Sequence, residues 1–286
     1  MQSINNDILI SVIIPLYNKE KTIFKTIQTV LSQTFQNYEI IIIDDGSTDN
    51  SASIIKGINN DRIKLYQTQN QGVSASRNYG IELSNGKYLF FLDADDIIYN
   101  NCLDVLYKGF IQFPHANIIC GNYLYITKDN KYTASNHLKG YVSNNYKEIY
   151  TNTISLRVGV LLFKKEVFAN QKFCDYISVH EDTQLWLKLL NNNIIAYIPT
   201  IVHEYHTEYS ELSIKPIDIK KEFAYYINLN ENLEKYEKRI LGNNLVCSII
   251  NRILKKDYKT ATMLLKKNFK HLPYLLFIYY KRKIKL

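Results

Sequence analysis

The chain has few of the residues that build stapled or membrane-crossing folds. Four cysteines are scattered over 286 residues, at Cys102, Cys120, Cys174 and Cys247, and none forms a CxxC pair. That spacing argues against a zinc site or a disulfide framework, and fits reduced thiols in a cytosolic protein. Glycine and proline are scarce, at 10 and 5. Gly72 and Gly80 do not make a GxGxxG, and the segment PLYNKEKT after the first apolar run contains no glycine, so no glycine-rich phosphate loop is expected there. No stretch reaches the roughly 18–20 apolar residues that cross a bilayer. The longest run, residues 272–280, is too short. The first residues, MQSINNDILI, are polar where a signal peptide would be basic and then apolar. The expectation is a cytoplasmic protein.

Hydrophobic residues make up 46%, enough to bury one large α/β domain or two small ones. The net charge of +8 is unevenly placed. From Arg252 onward eleven basic residues face Asp257 alone, a local +10, and the rest of the chain is near neutral. These charges interleave with Tyr258, Met263, Phe269, Phe277 and Tyr280. A basic, aromatic segment too short to span suits the surface of an anionic membrane. Anionic lipid, not nucleic acid, is the expected partner, at the inner face of the cell membrane. The competing reading is a terminal helix packed by its apolar side, with its lysines solvated.

The first hundred residues alternate strand and helix. Residues 8–15, 38–43, 63–66 and 88–92 are apolar runs rich in Ile, Val and Phe, as in strands buried on both faces. Residues 22–33 carry Ile23, Ile27, Val30 and Leu31 at helical spacing, Ser47 or Thr48 can cap a second helix, and residues 72–83 read as a third. The alternation predicts a mainly parallel sheet flanked by helices, with ligands at the carboxyl ends of its strands. Residues 116–215 are less regular, with a strand expected over 158–163 and a helix over 182–191. From residue 216 the pattern is helical.

Polar clusters follow one predicted strand after another: Pro15, Tyr17 and Asn18, then Asp44 and Asp45, then Asp93, Asp95 and Asp96. In a parallel sheet these ends share one edge. Carboxylates brought together there raise each other's pKa unless a cation or hydrogen-bond donors neutralise them. A hard divalent cation that also holds a phosphate would resolve the conflict.

The segments SVIIPLYN at 11–18, IIIDDGSTD at 41–49, NQGVSASRNYG at 70–80 and FFLDADD at 90–96 resemble the inverting glycosyltransferase family 2, which has the GT-A fold. HEDTQLWLKL at 180–189 resembles the later acidic motif of that family, and the order and spacing match over roughly residues 9–215. The resemblance implies a Rossmann-like nucleotide-sugar-binding half over 1–115 and an acceptor-binding half over 116–215. A basic helical extension over 216–286 lies outside it. It implies that Pro15 and Tyr17 line the donor site, with the Tyr17 ring against the nucleotide base. Asp44 would accept a hydrogen bond from that base, usually uracil, and Arg77 would sit near the base or diphosphate. Asp93-Ala94-Asp95 is the DXD motif, with Asp93 toward the ribose or sugar and Asp95 holding Mn²⁺ or Mg²⁺. Asp182 would be the general base. Many GT-A enzymes place a third metal ligand, often His, where His203 and His206 fall, and His206 is the preferred one.

The implied reaction moves a sugar from a nucleotide-sugar donor to a glycan or lipid-linked glycan acceptor, as in bacterial surface polysaccharide or glycolipid synthesis. It needs these residue types. Charge builds on the departing diphosphate, which a divalent cation stabilises. The acceptor hydroxyl attacks only when a carboxylate takes its proton. Plainer readings stand beside these: a helix cap for Asp44 and Asp45, a first-turn carboxylate for Asp49, a solvated loop for Asp93–Asp96, a cap for Asp182, and a core position or acceptor-site wall for Trp186. The rival functions are a metal-dependent nucleotidyltransferase, disfavoured by the missing glycine loop, and a non-catalytic nucleotide-sugar-binding module.

Overall fold

The computed structural model describes residues 8–127, 130–133, 138–206, 218–229 and 232–284. Its first part is the expected alternation: β1 (Ile10–Leu16), α1 (Ile23–Leu31), β2 (Tyr38–Asp44), α2 (Ser51–Lys56), β3 (Ile63–Gln67), α3 (Val73–Leu83) and β4 (Tyr88–Phe91). These strands run parallel in the order β3-β2-β1-β4. β2 is buried along its whole length and β1 at all but Pro15, which is why isoleucine dominates the middle of both. Pro15 lies beyond Ile13, the last β1 residue in register with β4, so its missing N–H breaks no rung there. α3 presses Gly80 onto β1; a Cβ at that position would lie 2.4 Å from the Ile13 side chain.

The sheet continues through β5 (Ile97–Ile98), α4 (Cys102–Gln112), β6 (Ile118–Ile126), β7 (Lys131–Thr133), β8 (Gly140–Tyr141), α5 (Asn145–Tyr150), β9 (Leu161–Lys164), α6 (Glu181–Leu190) and β10 (Ile195–His206). Here the order is β4-β9-β6-β10-β5, with β7 beside β6 and β8 beside β10. β9 is antiparallel to both neighbours, whereas β10 is parallel to β6. One sheet therefore crosses both halves, and its strictly parallel part ends at β4. The strand expected over 158–163 starts only at Leu161. Gly159 has φ +86° and turns the chain, and a Cβ there would lie 2.5 Å from the His203 ring.

Trp186 belongs to the core. It is buried and stacks on Phe163 with ring centres 4.9 Å apart. Neither Ser47 nor Thr48 caps α2, which begins after Asn50; both instead bond to Asn18. The extension is helical, with α7 (Phe223–Tyr226), α8 (Lys235–Leu254), α9 (Tyr258–Lys267) and α10 (Leu272–Ile284). Glu234 and Glu237 form a capping box that starts α8. α8 packs on α5 and α7, and α10 packs on α8. Arg252 ties the end of α8 to Glu222 at 2.7 Å and to Asp257 at 3.1 Å. No helix among the described residues is long and apolar enough to cross a membrane.

Candidate active site

The ends of β1, β2 and β4 carry loops that are laced together. Asn18, in the left-handed region at φ 50°, donates its N–H to Ser47 Oγ at 3.0 Å and accepts from the Thr48 N–H at 2.8 Å. The Lys19 N–H reaches Ser51 Oγ at 2.8 Å and the Glu20 N–H reaches Asp49 Oδ2 at 3.0 Å. Asp49 is thus a loop clamp, and also accepts from the Ser51 N–H at the start of α2. Tyr17 remains 46% exposed at the mouth of this frame, available for a planar ligand to stack on.

The two carboxylates at the end of β2, Asp44 and Asp45, are both buried, and both hold backbone. Asp44 accepts from the Ser47 N–H at 3.0 Å and from Gln67 Nε2 at 2.9 Å. Asp45 accepts from the Gln71 and Gly72 N–H groups, each at 2.8 Å, and so fixes the entry to α3. Each Asp44 oxygen already has one donor, so a ligand there would use a remaining lone pair.

After β4 the chain makes a tight turn. Thr22 and Thr26 of the α1 region both donate to the Ala94 carbonyl at 3.0 Å. The carboxylates of the turn each meet a nitrogen of their own. Asp93 Oδ1 lies 2.8 Å from Arg77 Nη2, Asp95 Oδ2 lies 2.9 Å from Lys19 Nζ, and Asp96 Oδ2 lies 3.0 Å from His203 Nε2. The solvated-loop reading therefore fails for this turn. Burial, then the Asp93 carboxylate, pushes the Asp95 pKa up, although Lys19 pulls it back.

Arg77 is the hub. It sits on α3, almost wholly buried, with its guanidinium 5.1 Å from the centre of the Phe173 ring. Nη2 holds Asp93, and Nη1 holds Glu181 Oε1 at 2.8 Å. Burial alone would lower its pKa, but Asp93, then Glu181 and Asp182, outweigh that and push it up. Arg77 thus bridges two acidic motifs. Glu181, which motif reading left without a role, is its buried partner; burial pushes the Glu181 carboxyl up and Arg77 only partly reverses this.

Asp182 is next to that bridge, in the first turn of α6. The helix is entered through His180, in the left-handed region at φ 59°. Such strain in a non-glycine residue is kept where surrounding contacts force it, commonly at functional sites. Asp182 is half-buried, and its Oδ1 accepts from the Thr183 N–H at 2.6 Å. Among the described residues nothing donates to Oδ2. A cap is therefore part of what Asp182 does, and one oxygen is left for other work. His206 ends β10 with Nε2 3.0 Å from Glu204 Oε2. Among the described residues no three His, Cys, Asp or Glu side chains gather into a ready metal cage. The carboxylate of Asp95 still fits a hard cation, because Mg²⁺-type sites take one or two protein carboxylates and complete the shell with water and substrate phosphates.

The parallel sheet edge thus carries the Asp93-Ala94-Asp95 turn, with the acidic start of α6 held against it through Arg77. Residues 11–170, more than half of the chain, match glycosyl transferase family 2, and the chain belongs to that family. An uncharacterised glycosyltransferase of Rickettsia bellii (strain RML369-C) is 32% identical over 198 residues, covering 69% of this chain and 28% of its own length. The chain thus spans under a third of that relative. Poly(ribitol-phosphate) beta-N-acetylglucosaminyltransferase TarP of Staphylococcus aureus (strain N315) is 29% identical over 263 residues, 88% of this chain and 72% of TarP. Among solved structures, S. aureus TarS 1-349 in complex with UDP-GlcNAc superposes with a TM-score of 0.66 at 20% identity, covering 85% of this chain and 72% of that one. The last likeness establishes the fold, and with it the expected GT-A architecture.

Proposed function

We propose that the chain is an inverting glycosyltransferase that moves a sugar from a UDP-linked donor to an acceptor hydroxyl, in the synthesis of a bacterial surface polysaccharide or glycolipid. The observation that carries this is the Asp93–Arg77–Glu181 bridge. It holds the Asp93 turn and the start of α6 together at 2.8 Å on each side, which supports a shared site for Asp93, Asp95 and Asp182. TarP, whose name gives a beta-N-acetylglucosaminyl transfer, supports the same reaction class. Residues 1–115 then form the donor half and residues 116–215 the acceptor half.

In this reading Pro15 and Tyr17 line the base pocket, Asp44 accepts from the uracil edge, and Asp93 faces the ribose or sugar. Mn²⁺ or Mg²⁺ would be held by Asp95 with His206, and would neutralise charge on the leaving diphosphate. Asp182 takes the proton of the acceptor hydroxyl as it attacks the anomeric carbon from the face opposite the diphosphate, which inverts the configuration. Arg77 keeps Glu181 and Asp93 in place and supplies positive charge behind both. Incubation with UDP-, GDP- and dTDP-sugars should show turnover of a UDP-sugar, slowed at least about tenfold by EDTA. Full activity in EDTA would remove the metal from the mechanism. No turnover of any donor would favour a binding module.

The extension belongs to this proposal through its surface. α9, α10 and the turn between them expose Tyr258, Phe269, Phe277 and Tyr280 together with Lys259, Lys266 and Lys270, while α8 is engaged with the domain. We place this face on an anionic membrane leaflet, where a lipid-linked acceptor would be anchored. At about 1 kcal/mol per basic residue, Lys259→Ala with Lys266→Ala should weaken co-sedimentation with phosphatidylglycerol vesicles by about thirtyfold. Salt should weaken it as well. Binding that is equal for both proteins and insensitive to salt would leave packing as the only role of the extension.

A further inference from the structure

Arg157 stands in the loop that leads into β9, and the chain is pinned on both sides of it. Ser155 Oγ lies 3.0 Å from the Tyr123 hydroxyl. The Gly159 N–H donates to the carbonyl of Phe91, the last residue of β4, at 3.0 Å. β9 is antiparallel to β4, so its entry lies at the edge where β4 leads into the Asp93–Asp96 turn. β6 is antiparallel to β9 and β10 is parallel to β6, so both of these strands end at that edge too. The guanidinium is held over Tyr205 of β10, 3.2 Å from the ring centre, and lies 5.7 Å from the centre of the Tyr123 ring of β6.

What this half-buried cation lacks is an acid of its own. Among the described residues no carboxylate forms an ion pair with it. Asp96, the acid that acts on it most strongly, has Oδ2 3.0 Å from His203 Nε2. Glu204, the residue before Tyr205, accepts from the Tyr99 hydroxyl at 2.8 Å and lies 3.0 Å from His206 Nε2. Burial would lower the Arg157 pKa, but Asp96, then Tyr205 and Tyr123, outweigh that and push it up, so the charge is kept. Arg77, by contrast, has both terminal nitrogens on acids. Aromatic faces can fix a guanidinium in place while its N–H groups serve a two-oxygen acceptor, and phosphate is such an acceptor.

We infer that Arg157 binds the diphosphate of the sugar donor. The inference rests on the UDP-sugar reading and adds to it a phosphate contact from the acceptor half of the chain. The diphosphate is the anion this position suits, because Arg157 lies within the field of the turn that carries Asp93 and Asp95, and because Tyr205, which holds it, adjoins His206. When the bond to the anomeric carbon breaks, its electron pair stays on a diphosphate oxygen. Donors already fixed beside that oxygen stabilise the charge without rearranging.

The affinities of UDP and uridine separate a phosphate contact from a structural one without reference to turnover. Both are measured by isothermal titration calorimetry in Mg²⁺ on wild type, Arg157→Gln and Arg157→Lys, with folding checked by circular dichroism. Arg157→Gln should weaken UDP by about tenfold or more, as expected for lost hydrogen bonds to a charged group, and leave uridine nearly unchanged. Arg157→Lys, which keeps the charge but not the fork, should fall between the two. It also carries the test if the Gln variant does not fold. Equal weakening of UDP and uridine would make Arg157 a support of the fold and overturn the inference. Unchanged UDP affinity in the folded variants would overturn it as well, with the UDP-sugar reading intact. A wild type that binds no UDP would overturn that reading and this inference together.

Discussion

Asp182→Asn is expected to slow sugar transfer by roughly 10²–10⁴-fold while leaving UDP affinity nearly unchanged. The substitution keeps the size of the side chain and the oxygen that accepts from the Thr183 N–H at 2.6 Å, so the first turn of α6 should remain in place. What it removes is the basicity of the second oxygen. If Asp182 takes the acceptor's proton in the transition state, the loss falls on kcat and not on the binding of a donor that never touches it. Isothermal titration with UDP separates the cases. Collapse of donor affinity would make Asp182 a donor-site or structural residue, and unchanged kcat would move the base elsewhere.

The parts of the molecule that could be read from sequence are those with a local signal. β1, β2 and β4 are largely apolar runs, because burial on both faces admits a polar side chain only where it is paired, as Ser11 and Glu39 are at 2.7 Å. The observed β2, Tyr38–Asp44, extends by one residue the expected 38–43, since the rung pairing Leu16 with Asp44 continues the ladder. α4 shows buried Leu103, Leu106 and Phe110 at helical spacing, yet a reading led by motifs passes over it because no motif falls there. β6 escapes for another reason, and the strand expected over 158–163 is found displaced, as β9. Their antiparallel partners come from distant segments, and β9 starts only after the turn that Gly159 makes around His203.

The site divides the same way. Its carboxylates were legible because they follow strands, and strand ends share an edge. Their partners were not. Arg77 and Glu181 are 104 positions apart, and nothing local in either segment announces the 2.8 Å contact. Lys19 and Asp95 are 76 apart, and a lysine in PLYNKEKT carries no pattern of its own. Local chemistry selects which residues work. The fold selects which of them meet, and it sets Arg77 between two acids.

Arg77→Met tests the bridge and should lower folding stability by about 3–5 kcal/mol, the usual cost of removing one partner from a buried ion pair. Methionine fills similar length but leaves Glu181 buried and without its cation. The Glu181 side chain is only 11% exposed, so water cannot readily replace the guanidinium there. Asp93 is 38% exposed and resolvates more easily, so most of the cost should arise on the Glu181 side. That asymmetry predicts a rescue. Glu181→Gln in the Arg77→Met background removes the stranded charge and should recover at least about 1 kcal/mol, a non-additivity expected of residues in contact. Asp93→Asn in the same background should recover less. Arg77→Lys keeps the charge but not the fork, so it can hold one acid and not both. Urea denaturation of the variants, with their kcat and UDP affinity, decides the matter. Because the bridge orients α6, kcat of the Met variant should fall even under conditions where the protein is fully folded. If Arg77→Met matches wild type in stability, or if Glu181→Gln only adds to the damage, Arg77 does not join the two motifs.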